Sequence, residues 1–198
     1  MLRRCPLALV TTTIALALVL LTFPAAARAS EPLWTLLKTG GQAVLVRHAV
    51  TTLGVGDPPD MRLDDCASQR NLTDAGRAHA RRVGEAFRAR GVVVDRLLTS
   101  PWCRCIETAR LAWGPARLSA EVWTPLGNLY GRAERQAEQV REMRALVGER
   151  RAGGNLVLVS HGSTISALTG VSPDTAELVI VTPQGGGRFA VAGRLVVP

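Results

Sequence analysis

Aromatic residues are scarce in this 198-residue sequence, with one tyrosine, three phenylalanines and four tryptophans. No Lys/Arg block carries aromatics between its charges, so the sequence offers no support for nucleic acid binding. Metal-ligand spacing is missing as well. Cys103-x-Cys105 stands without a CxxC or His-x-His partner set, which argues against a bound metal. No G-x-S-x-G elbow occurs, and a histidine stands where a serine hydrolase would keep its nucleophile, despite Ser160 and Ser163 beside His161. Internal repeats, low-complexity tracts and any sign of a second domain are also lacking.

What is present begins with an export pattern. Arg3-Arg4 precede an apolar run from Leu7 to Phe23, and Ala27-Arg28-Ala29 supplies an A-x-A cleavage site. Residues 1–29 therefore read as a signal peptide and 30–198 as one domain, placed in the periplasm or secreted. The alternative is an uncleaved anchor, the one route by which this chain would meet a membrane. Removing Arg3, Arg4 and Arg28, with no acid before Ser30, lowers the formal charge from +8 to about +5. A basic domain outside the cytoplasm favours anionic small molecules or anionic surfaces.

Cys66, Cys103 and Cys105 follow the export segment, and an oxidising compartment favours one disulfide with one thiol left over. Cys105 falls on an apolar stripe with Ala109 and Ala112, which assigns it to the core. Cys66–Cys103 is then favoured over Cys66–Cys105.

Two stretches organise the rest. Ala43-Val44-Leu45-Val46 runs into Arg47-His48, and Asn155-Leu156-Val157-Leu158-Val159-Ser160 runs into His161-Gly162. Each reads as a buried strand delivering a histidine to a sheet edge. A helix from the Thr73 N-cap to about Arg90, a strand over Val92 to Thr99 and a helix opened by Ser100-Pro101 lie between them. A weaker strand over Arg117 to Val122 and a charged helix over Arg132 to Arg150 follow, and Glu177 to Val197 closes as a hairpin around Gly185-Gly186-Gly187. His79 reads as a surface residue of its helix. The alternation predicts an α/β three-layer sandwich, a mostly parallel central sheet with helices on both faces.

Arg47, His48, Arg104 and His161 then share the carboxyl edge of that sheet. Two guanidinium forks and a helix N-terminus suit a phosphate. Their charge also keeps a neighbouring imidazole neutral and nucleophilic. Anion cradle plus imidazole is the equipment for phosphoryl transfer through phosphohistidine.

The motifs resemble those of the histidine phosphatase superfamily, which includes phosphoglycerate mutase-like enzymes. Arg47-His48-Ala49 resembles its RHG signature, Leu72-Thr73-x-x-Gly76 its LTxxG helix start, Ser100-Pro101-x-x-Arg104-x-x-x-Thr108-Ala109 its SPxxRxxxTA segment, and Ser160-His161-Gly162 its second histidine strand. The resemblance implies a metal-independent, cofactor-free phosphomonoesterase with His48 as nucleophile. It implies that Arg47, Arg104 and His161 hold the phosphoryl group, with Thr51 and Gly162 beside it. Cys105 stands where relatives commonly carry a small alanine, in keeping with a buried role.

Three departures stand out. Ala49 replaces the usual glycine, and Val50 replaces a glutamate that relatives often carry. Asn128, in Leu126-Gly127-Asn128, stands where they often carry the acid of an L-x-E segment. Glu134 is favoured as the substitute proton donor, ahead of Glu138 and Asp57. The short chain and missing acid disfavour a mutase, while the export pattern disfavours a cytoplasmic phosphohistidine phosphatase. The rival from another class is a catalytically silent phosphate-binding module. The loop from Thr51 to Gln69 and the segment from Trp123 to Arg135 are expected to shape the pocket. The location suggests a small phosphoester or phosphorylated envelope component, such as a sugar or lipopolysaccharide phosphate.

Overall fold

A computed structural model describes residues 25–116, 119–129 and 133–198. Two apolar strands lie at its centre, β1 (Ala43–Arg47) and β4 (Asn155–Ser160). They pair in parallel with Arg47 opposite Ser160. β2 (Val94–Thr99) flanks β4 in parallel, and the two-residue β3 (Glu121–Val122) flanks β2. On the other side the hairpin β5 (Leu178–Gly185) and β6 (Arg188–Leu195) runs antiparallel, giving the order β3-β2-β4-β1-β5-β6. The mostly parallel sheet is as expected.

Strand alternation divides the apolar side chains between two cores. Val44, Val46, Val157, Val159 and Ile180 face α1 (Ala25–Thr39), α2 (Asp74–Ala89) and α3 (Cys103–Trp113). Leu45, Leu156, Leu158, Val179 and Val181 face α4 (Ala133–Val147) and α5 (Gly162–Thr169), which contribute Met143, Val147, Ile165 and Leu168. β4 is buried at every position because both faces are covered. Each of these aliphatic side chains contributes about 1.5–3 kcal/mol on burial.

Residues 1–24, the bulk of the expected export signal, lie outside the described part. α1 runs across the expected cleavage point, and its Trp34 meets Phe87 edge-on at 5.5 Å between centroids. Among the described residues no helix is long and apolar enough to cross a membrane.

Local chemistry explains several boundaries. The Thr73 hydroxyl accepts the Gly76 N–H and caps α2, as expected. α3 begins at Cys103 rather than Ser100: the Ser100 hydroxyl is shared between the His161 ring and the Trp102 N–H, and the Cys103 N–H donates to the Gln69 side chain. The strand expected over Arg117 to Val122 shrinks to two residues, Arg117 lying outside the described residues. His79 is half-buried, its Nε2 lying 2.8 Å from the Val197 carbonyl, so it ties the chain's end to α2 rather than facing solvent.

Candidate active site

The parallel register of β1 and β4 brings their terminal histidines side by side, with ring centroids 5.5 Å apart. Chain order explains the crevice, since the path leaves β1 for β2 and β3 and then returns to place β4 between β2 and β1. Such crossover points at carboxyl ends are where open α/β sheets keep ligands. A cavity of about 950 Å³ opens there, lined among others by Arg47, His48, Arg70, Arg104, His161 and Gly162.

His48 is buried, and its Nδ1 lies 2.8 Å from the Ala49 carbonyl. A carbonyl only accepts, so Nδ1 carries the proton and Nε2 keeps its lone pair. Burial pushes the ring's pKa down to about 3, against the Ala49 contact, and Arg104, Arg47 and Arg70 push the same way. His48 is therefore a neutral imidazole throughout the physiological range.

His161 is held well below its usual value by burial first, then by His48 and the same arginines. Its Nδ1 lies 3.4 Å from Arg104 Nη2, and a guanidinium only donates. Nε2–H then donates to the Ser100 hydroxyl at 2.8 Å. A hydroxyl donates as well as it accepts, so His161 can exchange tautomers and present Nδ1–H to an anion.

Arg104, on the first turn of α3, is fully buried. Its Nη1 and Nη2 donate to both Asp57 carboxylate oxygens, at 2.7 and 3.0 Å. Asp57 also accepts the Arg70 backbone N–H at 3.2 Å. Burial raises the Asp57 carboxyl, but the Arg104 hydrogen bond and charge with the Arg70 contacts outweigh it, and the net displacement is down. Arg47 donates through Nη1 to the Pro173 carbonyl at 2.9 Å.

The motif residues surrounding the cradle have visible work. Thr108 Oγ1 donates to the Arg104 carbonyl at 2.7 Å and accepts the Ala49 N–H at 3.1 Å, locking α3 to the chain beside His48. The Cys66–Cys103 disulfide fastens the long loop to α3 next to Arg104. Cys105 is free and buried, and burial pushes its thiol up to about 12, so it stays protonated.

Two expected site residues are not brought to the cavity. Thr51 is buried and pairs with Leu72, outside the lining. Glu134 stands exposed on the first turn of α4, also outside the lining, because that helix turns Met143 and Val147 toward the sheet. Asn128 does line the cavity and accepts the Ser163 hydroxyl at 2.8 Å. Arg70 and Ser100 are the participants that the sequence reading missed. Ser100 carried a signal in its SPxxR motif, whereas Arg70 carried none beyond its place in a long loop.

Fold and cradle together define a phosphoryl-transfer enzyme of the α/β sandwich type. The model of the histidine phosphatase superfamily (branch 1) matches residues 43–147, and the chain belongs to that family. Membership makes it a phosphatase working through a histidine, consistent with metal independence. None of the curated proteins matches the sequence. Among solved structures, a mycobacterial glucosyl-3-phosphoglycerate phosphatase in complex with VO3 is 17% identical with a TM-score of 0.59, the match covering 78% of this chain and 98% of that one. The protein histidine phosphatase SixA complexed with tungstate is 19% identical with a TM-score of 0.55, covering 78% and 96%. YhfR from Bacillus stearothermophilus is 19% identical with a TM-score of 0.54, covering 76% and 95%. At these identities the likeness is one of fold.

Proposed function

We propose that this protein hydrolyses phosphomonoesters through a phosphohistidine on His48. The observation that carries this is the fixed tautomer of His48, a neutral ring with its Nε2 lone pair intact among three cavity-lining arginines. Nε2 attacks phosphorus in line with the departing alcohol. Arg47, Arg104 and His161 receive the equatorial oxygens, with the backbone at Gly162 closing the cradle. Water then attacks the phosphohistidine from the vacated side, releasing phosphate and restoring the neutral ring. No metal or cofactor enters these steps.

The charge balance supports a phosphate ligand. Among the described residues, three guanidinium groups and one carboxylate line the cavity, a surplus of two positive charges. A phosphomonoester carries about −1.5 to −2 at neutral pH. We assign the substrate to the small phosphoesters of the cell envelope or exterior, a reading supported by the N-terminal export pattern.

Purified protein should hydrolyse an aryl phosphate, and His48→Ala should abolish turnover while leaving thermal unfolding in place. Undiminished activity in His48→Ala would end the phosphohistidine reading. Asn128 lines the cavity where an acid is usual for the family, so turnover should favour esters with good leaving groups.

A further inference from the structure

The carboxylate on Arg104 has no role in the scheme so far. It occupies both terminal nitrogens of a fully buried guanidinium, the fork that the preceding reading gives to phosphate. A phosphoester therefore cannot use that fork while Asp57 remains on it. The displaced carboxylate cannot go far. Arg70 Nη1 holds the Val55 carbonyl at 2.6 Å, Pro58 and Pro59 follow directly, and the Met61 N–H returns to the Pro58 carbonyl. Side-chain rotation is the cheapest exit, and it leaves the carboxyl group inside the same cavity.

Among the described residues, Asp57 is also the sole carboxylate lining that cavity. A leaving alcohol needs a proton, and the other lining groups are poor sources. Arginine does not release one, and a neutral imidazole would have to become an imidazolate.

We propose that Asp57 is the proton donor of the reaction, held on Arg104 until phosphate takes its place and then turned onto the leaving oxygen. The proposal rests on the phosphohistidine reading of His48. Once exchanged, the carboxyl faces a phosphoryl anion instead of a guanidinium, which favours its protonated form. Ester monoanion with carboxylate, and ester dianion with carboxylic acid, contain the same proton, so binding brings it in. As the His48 Nε2–P bond forms and the P–O bond breaks, the Asp57 O–H proton passes to the ester oxygen and the alcohol leaves neutral. The resulting carboxylate then removes a proton from the water that attacks phosphorus. The P–N bond breaks with its electron pair returning to Nε2, and Asp57 is again an acid beside hydrogen phosphate.

The test compares Asp57→Asn with wild type on an aryl and an alkyl phosphate, with inorganic phosphate as inhibitor. General acid help is worth about 10²–10⁴-fold where the leaving group is poor. Asp57→Asn should lose about that much kcat/KM on the alkyl ester and less than about tenfold on the aryl ester. It should also bind inorganic phosphate more tightly, because a charged competitor has left the fork. An alkyl-to-aryl ratio equal to that of wild type, or weaker phosphate inhibition, overturns the assignment. Should the variant fail to fold, a solvent deuterium isotope effect on alkyl-ester turnover by wild type replaces it, and absence of that effect overturns the assignment. Turnover that survives His48→Ala defeats the phosphohistidine reading instead, whatever Asp57→Asn does.

Discussion

Gly76→Ala puts the motif geometry to a demanding test. Gly76 sits in the first turn of α2, where helix propensity alone predicts that alanine stabilises by up to about 1 kcal/mol. The packing predicts the opposite sign. A Cβ on Gly76 would stand 2.1 Å from the Val50 carbonyl oxygen and 3.0 Å from the Val50 C and N atoms. That is about 1.3 Å short of the 3.4 Å at which ordinary contact begins. The obstacle is backbone on both sides, since the same Val50 oxygen accepts the Thr73 N–H at 3.0 Å. Relief requires α2 and the chain leaving β1 to separate, which places the cost near the upper end of overpacking, about 3 kcal/mol. The disturbance also reaches the nucleophile. Val50 follows Ala49, whose carbonyl fixes the His48 ring, and a misplacement of about 1 Å costs up to about 10²-fold in rate. Equilibrium urea unfolding reads the first effect and kcat/KM on an aryl phosphate the second. A Gly76→Ala protein as stable as wild type, or more so, would refute the packing argument.

Two more outcomes follow from the titratable groups of the site and from its disulfide. His48 and His161 are both held below 6.5, so on acidification the unfolded chain takes up protons at these positions that the native state refuses. Stability is unaffected by them above pH 6.5 and falls below it, by at most about 1.4 kcal/mol per pH unit for each ring. Asp57, held below 3.8, adds stability that is present above that value and is lost as pH falls through its lower folded pKa. Urea midpoints at pH 8, 6.5 and 5 check this, and a flat profile from 6.5 to 5 would contradict it. The Cys66–Cys103 bridge spans 37 residues, and its loss costs about 4 kcal/mol in the chain-entropy account, or about 10 °C in Tm. An unchanged Tm after complete reduction would rule this out.

The strands and their histidines were legible because β1 and β4 are covered on both faces and carry unbroken apolar runs. Thr73 was legible as a cap from its hydroxyl and position alone. Pro101 suits a first helical turn, yet α3 starts at Cys103, because Ser100 Oγ and the Cys103 N–H go to His161 and Gln69, partners 61 and 34 residues away. Closeness in sequence to the absent acid points to Glu134. A charged helix does not declare which flank its neighbours leave open, and the structure leaves this residue in solvent. The Asp57–Arg104 pair joins residues 47 apart through a loop without periodicity, so nothing in either segment announced it.

The central claim is that His48 carries the phosphoryl group. The most direct measurement mixes the protein with an aryl phosphate, quenches in alkali, where a phosphohistidine survives, and maps the phosphorylated peptide. One phosphoryl group should appear on His48, be absent in His48→Ala and be lost on acidification. A phosphoryl group on His161, on Ser100 or on any other residue during turnover would contradict it.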